Sequence, residues 1–144
     1  MTETLFLERR VIKRTLSVIQ GRPDSNAPIL KRLFLAQGEL AQIYDGADGI
    51  RYLAYVELRP GAVRGNHYHE VKEEGIYVIE GEIELVVEDP VSKERAPISL
   101  VSGDLVVIPV RVAHAFRTVR EGHAIEYSPA RFDPADAFGY PLIQ

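Results

Sequence analysis

Short runs in which apolar and polar residues alternate constrain the fold of this sequence more than any other feature. The clearest run is Glu82 to Glu88, where Ile83, Leu85 and Val87 alternate with residues that are mostly glutamates. Because successive side chains of a β-strand point to opposite faces, this pattern predicts a strand with one buried face. Similar short runs follow one another from Arg51 onward, and no helical period competes with them. The sequence therefore predicts an all-β fold, either a sandwich or a closed barrel.

Turn-forming residues divide these runs into strands of ordinary length. Pro60-Gly61, Asp89-Pro90 and Ser102-Gly103 each end an apolar run. Such pairs favour turns because proline presets one backbone angle and glycine accepts conformations that other residues avoid. We also expect the apolar strand Gly75 to Glu80 to end in a tight turn at Gly81.

The chain has 144 residues, which suits a single domain with a substantial core. The strand pattern predicts a barrel over residues 51–128. We expect residues 1–50 to form strands that pack as an arm on the barrel or on a partner subunit. Residues 129–144 contain three prolines and are interpreted as a tail.

Charge and composition exclude several classes of function. The formal net charge is -4 and the chain lacks a long basic run, so we expect no nucleic-acid partner. The sequence has no cysteine, which excludes disulfides, thiolate ligands and cysteine nucleophiles. No stretch approaches the roughly 20 apolar residues of a membrane span, and the first ten residues do not resemble a signal peptide. We therefore expect a cytoplasmic protein without a membrane partner.

Two histidines, His67 and His69, are the strongest candidates for metal ligands. On an extended backbone, residues two positions apart project to the same side. A carboxylate follows five residues after the second histidine, at Glu74, and His114 lies far downstream. Neutral imidazole and carboxylate together suit a divalent ion such as zinc, iron, nickel or manganese. Glu73 competes with Glu74 for the ligand role, since both strand faces at this point are apolar.

Other charged residues near these histidines have simpler interpretations. Glu70 and Lys72 are interpreted as solvated charges. His123 is interpreted as a strand residue on the outside or as a hydrogen-bonded core histidine, and not as a further ligand.

The spacing of these residues resembles the two motifs of the cupin superfamily. The matching positions are Gly61, His67, His69, Glu74 and Gly81 in the first motif, and Gly103, Pro109 and His114 in the second. The resemblance implies a double-stranded β-helix, or jelly roll, that is often dimeric. It also implies that His67, His69, Glu74 and His114 hold one divalent transition-metal ion inside the barrel. The chain departs from the family pattern at Arg111, where glycine is usual, and at Thr118, where asparagine is usual.

A narrower resemblance concerns the segment Arg64-Gly65-Asn66-His67-Tyr68-His69 with the following Lys72 and Glu74. It is similar to the cupin domain at the C-terminus of capsular polysaccharide biosynthesis reductases and to the Arg-Gly-x-His pattern of sugar-nucleotide epimerases. This implies a keto-sugar nucleotide as substrate and a proton transfer next to its carbonyl group. Arg64 would then pair with the diphosphate. The metal-free epimerases of that group lack the second histidine of the pair, which this chain keeps.

We expect further substrate-binding side chains at the mouth of the barrel, with Tyr52 beside Arg64 as the main candidates. Other candidates for this position are Arg51, Tyr55 and Arg117.

The sequence thus predicts a metal-dependent isomerase or epimerase that acts on a small oxygenated, carbohydrate-like substrate. A metal-dependent dioxygenase and a non-catalytic cupin that binds a small ligand are the alternatives. The resemblance and the apolar run Leu30 to Leu35 predict a homodimer formed through the N-terminal strands.

Overall fold

The computed structural model describes residues 1–144 as twelve β-strands. In chain order they are β1 Thr2–Phe6, β2 Val11–Thr15, β3 Ser17–Gln20, β4 Lys31–Leu35, β5 Gly38–Gln42, β6 Tyr52–Leu58, β7 Val63–Tyr68, β8 Glu74–Glu88, β9 Arg95–Val101, β10 Asp104–Ile108, β11 Ala113–Ser128 and β12 Phe138–Gly139. The protein contains no helix that is long and apolar enough to cross a membrane.

The two longest strands, β8 and β11, pair antiparallel along their lengths and form the centre of two layers. In the first layer, β10 flanks the first half of β8, and β6 flanks the second half of β11. In the second layer, β9 flanks the second half of β8, and β7 flanks the first half of β11. Two layers that share their central strands form a double-stranded β-helix, or jelly roll, so the predicted fold class is confirmed.

The two long strands pass from one layer to the other at a bend beside Gly81. This residue has a φ of 101°, and a Cβ added to it would lie 2.7 Å from the carbonyl oxygens of Arg120 and Glu121. Only glycine allows both this backbone angle and this close approach. The predicted tight turn at Gly81 is therefore wrong, because the chain bends there and continues as one strand.

The core lies between the two layers. It is a cluster of 16 buried apolar residues contributed by both. Ile83, Leu85 and Val87 are fully buried in it, as the alternating pattern predicts. Side chains of this size contribute about 1.5–3 kcal/mol each when they are removed from water.

The N-terminal strands form an arm on the outside of the first layer. β1 and β2 extend that layer at the edge of β10, whereas β3, β4 and β5 form a separate three-stranded sheet. Leu16, next to this small sheet, is buried with Tyr77, Leu105 and Tyr127, which lie on the outer face of the first layer. The arm explains why the first half of β8 is apolar on both faces.

Residues 129–144 fold back against the second layer. Their short strand β12 pairs with the end of β7, with Phe138 opposite Tyr68 and Gly139 opposite His67. The end of the chain therefore lies beside the segment that carries the two motif histidines.

Candidate metal centre

Four side chains that the sequence singles out converge inside the barrel. His67, His69, Glu74 and His114 each offer one ligand atom, and these atoms lie within 4.8 Å of one another. His67 is half-buried, and the other three side chains are buried. The structure thus brings together two neighbouring histidines, the first residue of β8 and a histidine 45 positions further along than His69.

A bulge in β7 brings His67 next to His114. The two residues are partners across the β7–β11 pair, and the register then shifts so that Gly65 is opposite Ala115. Asn66 is the extra residue, with a φ of 58°, and Gly65 has a φ of 98°. A Cβ on Gly65 would lie 2.7 Å from the carbonyl oxygen of His114, so the strands approach this closely only with glycine there.

The structure distinguishes between the two glutamates that the sequence leaves open. Glu74 is 4% exposed and shares the inward face of β8 with Ile76 and Val78, which belong to the core. Glu73 is exposed and lines a different cavity, together with Tyr127, on the outer face of the first layer. Only Glu74 therefore faces the three histidines.

Two backbone carbonyl groups orient the imidazole rings. The Nδ1 atom of His114 lies 3.0 Å from the carbonyl oxygen of Val112, and Nδ1 of His69 is hydrogen bonded to the carbonyl oxygen of Asp136. A carbonyl oxygen only accepts, so each Nδ1 carries the proton. In a neutral ring the Nε2 atom then has a free lone pair, which is the arrangement found in histidine ligands of metals.

The Nε2 atoms of the two rings both face Glu74. Each lies 3.1 Å from one carboxylate oxygen, His69 from Oε1 and His114 from Oε2. Nε2 of His114 is buried without a hydrogen-bond partner. Two such lone pairs would repel the carboxylate at this distance, so the rings either carry a proton on Nε2 and donate it to Glu74 or share a bound cation with the carboxylate. Two atoms bound to one ion at about 2.1 Å are roughly 3.0–3.4 Å apart at octahedral or tetrahedral angles, so the residues fit a divalent ion.

Electrostatics sets different protonation states for the four side chains. Burial acts to lower the pKa of His69, but the hydrogen bonds to Glu74 and to the carbonyl oxygen of Asp136 outweigh it and raise this pKa. Burial, with the neighbouring His114 and His69 rings, lowers the pKa of His67 to about 4. Burial acts to raise the pKa of Glu74, but hydrogen bonds from His114 and His69 outweigh it and hold this pKa well below its usual value. At neutral pH, His67 is thus a neutral base and Glu74 is an anion.

Lys72 and Glu126 belong to the same site, and the interpretation of Lys72 as a solvated charge is wrong. Lys72 is 8% exposed, and its Nζ lies 3.1 Å from Glu74 Oε1 and 2.9 Å from Glu126 Oε1. The ammonium group also lies 4.2 Å from the centre of the Tyr52 ring. A signal in the sequence could have indicated both residues. Lys72 has the same parity as Glu74, and Glu126 has the same parity as the apolar Ala124 two positions earlier.

These groups line a cavity of about 380 Å³. Tyr52 and Arg64 lie in its wall, together with the four candidate ligands and the Lys72–Glu126 pair. Part of the wall comes from the C-terminal segment through Phe132, Asp133, Pro134 and Ala137.

Three further residues predicted at the barrel mouth do not line this cavity, namely Arg51, Tyr55 and Arg117. The Tyr55 hydroxyl lies 2.7 Å from Nδ1 of His123 on the outside of the barrel, because both side chains point away from the core. Arg117 instead donates a hydrogen bond to the carbonyl oxygen of Gln144.

The fold and the site together define a cupin. Residues 54–127, a little over half of the chain, match the family described as the cupin domain, and the chain belongs to this family. A polyketide synthase, CurC, from Streptomyces cyaneus is 29% identical in an alignment of 111 positions that covers 65% of this chain and 67% of CurC.

Solved structures of two proteins, an epimerase and a capsular polysaccharide assembling protein, have a similar fold. The dTDP-6-deoxy-D-glucose-3,5-epimerase RmlC from Legionella pneumophila has a TM-score of 0.72 and 15% identity over 96% of this chain and 76% of its own. The capsular polysaccharide assembling protein CapF from Staphylococcus aureus has a TM-score of 0.57 and 25% identity over 62% of this chain. The match spans only 26% of CapF.

Proposed function

We propose that this cupin is a metal-dependent isomerase or epimerase that moves a proton next to the carbonyl group of a small oxygenated, carbohydrate-like substrate. The observation that carries the proposal is the partly buried Lys72–Glu126 pair, in which Lys72 also contacts Glu74. It supplies a proton acceptor in the same cavity as the four candidate ligands. A cupin that only binds a ligand has no need of such a pair at its centre.

The four converging side chains would hold one divalent transition-metal ion, zinc, iron, nickel or manganese. When bound, such an ion polarises a carbonyl oxygen and stabilises the negative charge that develops on it. Three neutral imidazoles and one carboxylate leave a net charge of about +1 at the site, which favours an anionic oxygen there.

Glu126 is the proposed proton acceptor. Burial and the nearby Glu74 raise the pKa of Glu126 above its usual value, which makes the carboxylate a stronger base. Burial acts to lower the pKa of Lys72, but the contacts with Glu126 and Glu74 have the larger effect, so this pKa lies above its usual value. Lys72 therefore stays charged and holds the Glu126 carboxylate in place. Glu126 takes the proton from the carbon next to the carbonyl group and, in an isomerisation, returns it to the neighbouring carbon on the same face. An epimerisation would require a second proton donor on the opposite face.

Arg64 and Tyr52 would bind the remainder of the substrate. Arg64 is exposed at the wall of the cavity, where its guanidinium can pair with a phosphate group in two hydrogen bonds. The Tyr52 ring stacks on Phe132 at 5.9 Å between ring centres, which adds an aromatic surface beside the cavity.

The names of the similar proteins support a carbonyl substrate. The Legionella enzyme was solved with dTDP-4-keto-L-rhamnose, and CurC is described as a polyketide synthase. A protein from Helicobacter canadensis with a TM-score of 0.66 is described as a 3,4-ketoisomerase.

Elemental analysis of the purified protein tests the metal centre. We expect about one equivalent of a divalent transition metal in the wild type and its loss in His67→Ala, because one of four ligands is removed. Iron as the bound metal would favour the dioxygenase alternative. A wild type without metal after reconstitution would contradict the proposal and favour a binding protein.

Deuterium uptake tests the proton transfer. In D₂O, the wild type should catalyse exchange of the hydrogen next to the carbonyl group of a keto-sugar nucleotide or a small polyketone, followed by NMR. Glu126→Gln should slow this exchange about 10²–10⁴-fold and keep the bound metal. Glu121→Gln is a matched control, since Glu121 is an exposed residue of the same strand. Equal exchange in Glu126→Gln and wild type would exclude Glu126 as the base.

A further inference from the structure

The C-terminal segment, residues 129–144, contacts the candidate metal centre at two places. Asp136 contacts the chain just after β7, and Asn66 in the β7 bulge contacts residues near the C-terminus. We infer that this segment is a structural part of the metal centre and that Asp136 is a positioning residue for His69. The inference rests on the metal binding proposed above.

Asp136 replaces the missing strand partner of the chain between His69 and Glu74. Its carboxylate accepts hydrogen bonds from the backbone N–H groups of Glu70 at 2.7 Å, Val71 at 3.2 Å and Lys72 at 3.0 Å. These residues lie outside the regular strands, so no sheet ladder occupies their N–H groups. Without such an acceptor, three consecutive N–H groups would have only water as a partner.

The backbone of Asp136 contacts the imidazole of His69, the residue just before Glu70. Its carbonyl oxygen accepts the Nδ1 proton of His69, which directs Nε2 of that ring towards Glu74. One residue thus sets both the tautomer of a candidate ligand and the course of the following backbone. The same stretch of backbone carries Lys72 and leads to Glu74, so its course also fixes the positions of these two side chains.

Asn66 makes the second attachment. Its side-chain oxygen accepts hydrogen bonds from the N–H groups of Leu142 at 2.8 Å and Ile143 at 2.9 Å, and its amide donates to the carbonyl oxygen of Ile143 at 2.8 Å. The N–H of Tyr140 donates to the backbone oxygen of Asn66 at 2.7 Å. Asn66 directly precedes His67, so the segment holds the two motif histidines from both sides.

Two consequences follow from this arrangement. Docking of the segment should raise metal affinity, because it holds His69 in the orientation needed for binding. By linkage, bound metal should in turn stabilise the docked segment. The same segment contributes Phe132 and Pro134 to the cavity wall, so docking also encloses the site.

Zinc affinity, measured by competition with a chromophoric chelator, tests the inference on the full chain. Asp136→Ala keeps the carbonyl oxygen that contacts His69 but removes the carboxylate that holds this carbonyl against the backbone of residues 70–72. It should therefore weaken Zn²⁺ binding about 10–100-fold relative to wild type, the usual range when the support of a ligand is lost. Asp24→Ala is the matched control, because the Asp24 carboxylate also accepts a backbone N–H group, from Asn26, in the loop between β3 and β4, which does not line the cavity of the metal centre. This variant should bind Zn²⁺ like the wild type.

Hydrogen exchange provides a readout that is independent of activity. Zn²⁺ should slow amide exchange at residues 136–143 in the wild type and have a smaller effect in Asp136→Ala. Asn66→Gly removes the second attachment and keeps a residue suited to the φ of 58°, so it serves if Asp136→Ala does not fold. It should also weaken Zn²⁺ binding.

The outcomes separate this inference from the proposed function. A wild type that binds Zn²⁺, with Asp136→Ala or Asn66→Gly binding it equally well and Zn²⁺ leaving the segment's exchange unchanged, would overturn the role of the segment alone. A wild type that binds no divalent metal would overturn both.

Discussion

Arg111 has a left-handed backbone conformation directly beside the candidate metal centre. Its φ is 63°, and its N–H donates to the carbonyl oxygen of His69 at 2.7 Å. The family usually has glycine at this position, and the positive φ gives the reason, since a Cβ makes this conformation unfavourable by about 1 kcal/mol. The departure from the family pattern therefore keeps the conformation that glycine would adopt.

Substitutions at Arg111 should follow this conformational preference. Arg111→Gly relieves the strain but makes the unfolded chain more flexible, so its free energy of unfolding should lie within about 1 kcal/mol of wild type. The lost ion pair with Glu70 should matter little, because the Arg111 side chain is 72% exposed. Arg111→Val should lose more than about 1 kcal/mol, since a β-branched residue tolerates positive φ poorly.

Urea unfolding of the two variants measures these differences. If Arg111→Gly were less stable than Arg111→Val, the conformational explanation of this position would be wrong.

Among the strands, β8 is the one that separates the site from the N-terminal arm. Glu74 on its inner face contacts the candidate ligands, while Tyr77 on its outer face is buried under the arm with Tyr127 of β11. Burial, with a smaller effect of Tyr44, raises the pKa of Tyr127 to about 12. The hydroxyl of Tyr127 is thus kept neutral by the packing of the arm.

This packing predicts a loss of stability at alkaline pH. The pKa of tyrosine is about 10 in the unfolded chain and about 12 for folded Tyr127. The neutral, buried hydroxyl therefore contributes fully to the free energy of unfolding below about pH 10, and this contribution is lost as the pH rises to about 12. The free energy of unfolding should fall by at most about 2–3 kcal/mol from this cause. Tyr127→Phe should show a smaller decrease between pH 9 and pH 11 in urea unfolding.

Tyr55→Phe is the control for this experiment, because the Tyr55 side chain is 66% exposed and its surroundings change little on unfolding. Equal pH dependence in Tyr127→Phe and wild type would show that the arm does not bury Tyr127 in solution.

At the scale of the whole molecule, an exposed apolar surface lies where the small N-terminal sheet meets the edge of the first layer. The surface consists of two adjoining depressions. The apolar side chains that line them are Ile29, Ala41, Ile43, Ile50, Leu53, Ile79 and Ile125. Ile29 and Leu53 are 61% and 67% exposed. β5 and β6, which border the surface, each pair with only one strand. Apolar patches beside open sheet edges are typical of contact surfaces.

We therefore expect the homodimer predicted from the sequence to form through this apolar surface. Light scattering should give twice the chain mass of 16.1 kDa for the wild type at micromolar concentration. Leu53→Glu should shift the protein to the monomer, because it introduces a charge into the apolar contact. Val91→Glu, which changes a 91% exposed valine in the loop after β8, should leave the mass unchanged. A monomeric wild type, or a dimeric Leu53→Glu, would contradict this prediction.

The sequence alone was enough to predict that the chain is all-β, which face of strands such as Glu82 to Glu88 is buried, and that His67 and His69 lie on the same side. A period of two residues carries this information, since it depends only on neighbouring backbone geometry. The spacing of the cupin motifs added His114 and the jelly roll.

Contacts between residues that are distant in the sequence became visible only in the folded chain. Glu73 and Glu74 have equivalent neighbours in sequence, and the arm over one face of β8 distinguishes them. Lys72 meets Glu126 across 54 residues, and Asp136 meets the backbone of Glu70 across 66. No local sequence pattern predicts such pairs, because they depend on which strands are neighbours in the sheets and on the path of the chain between them.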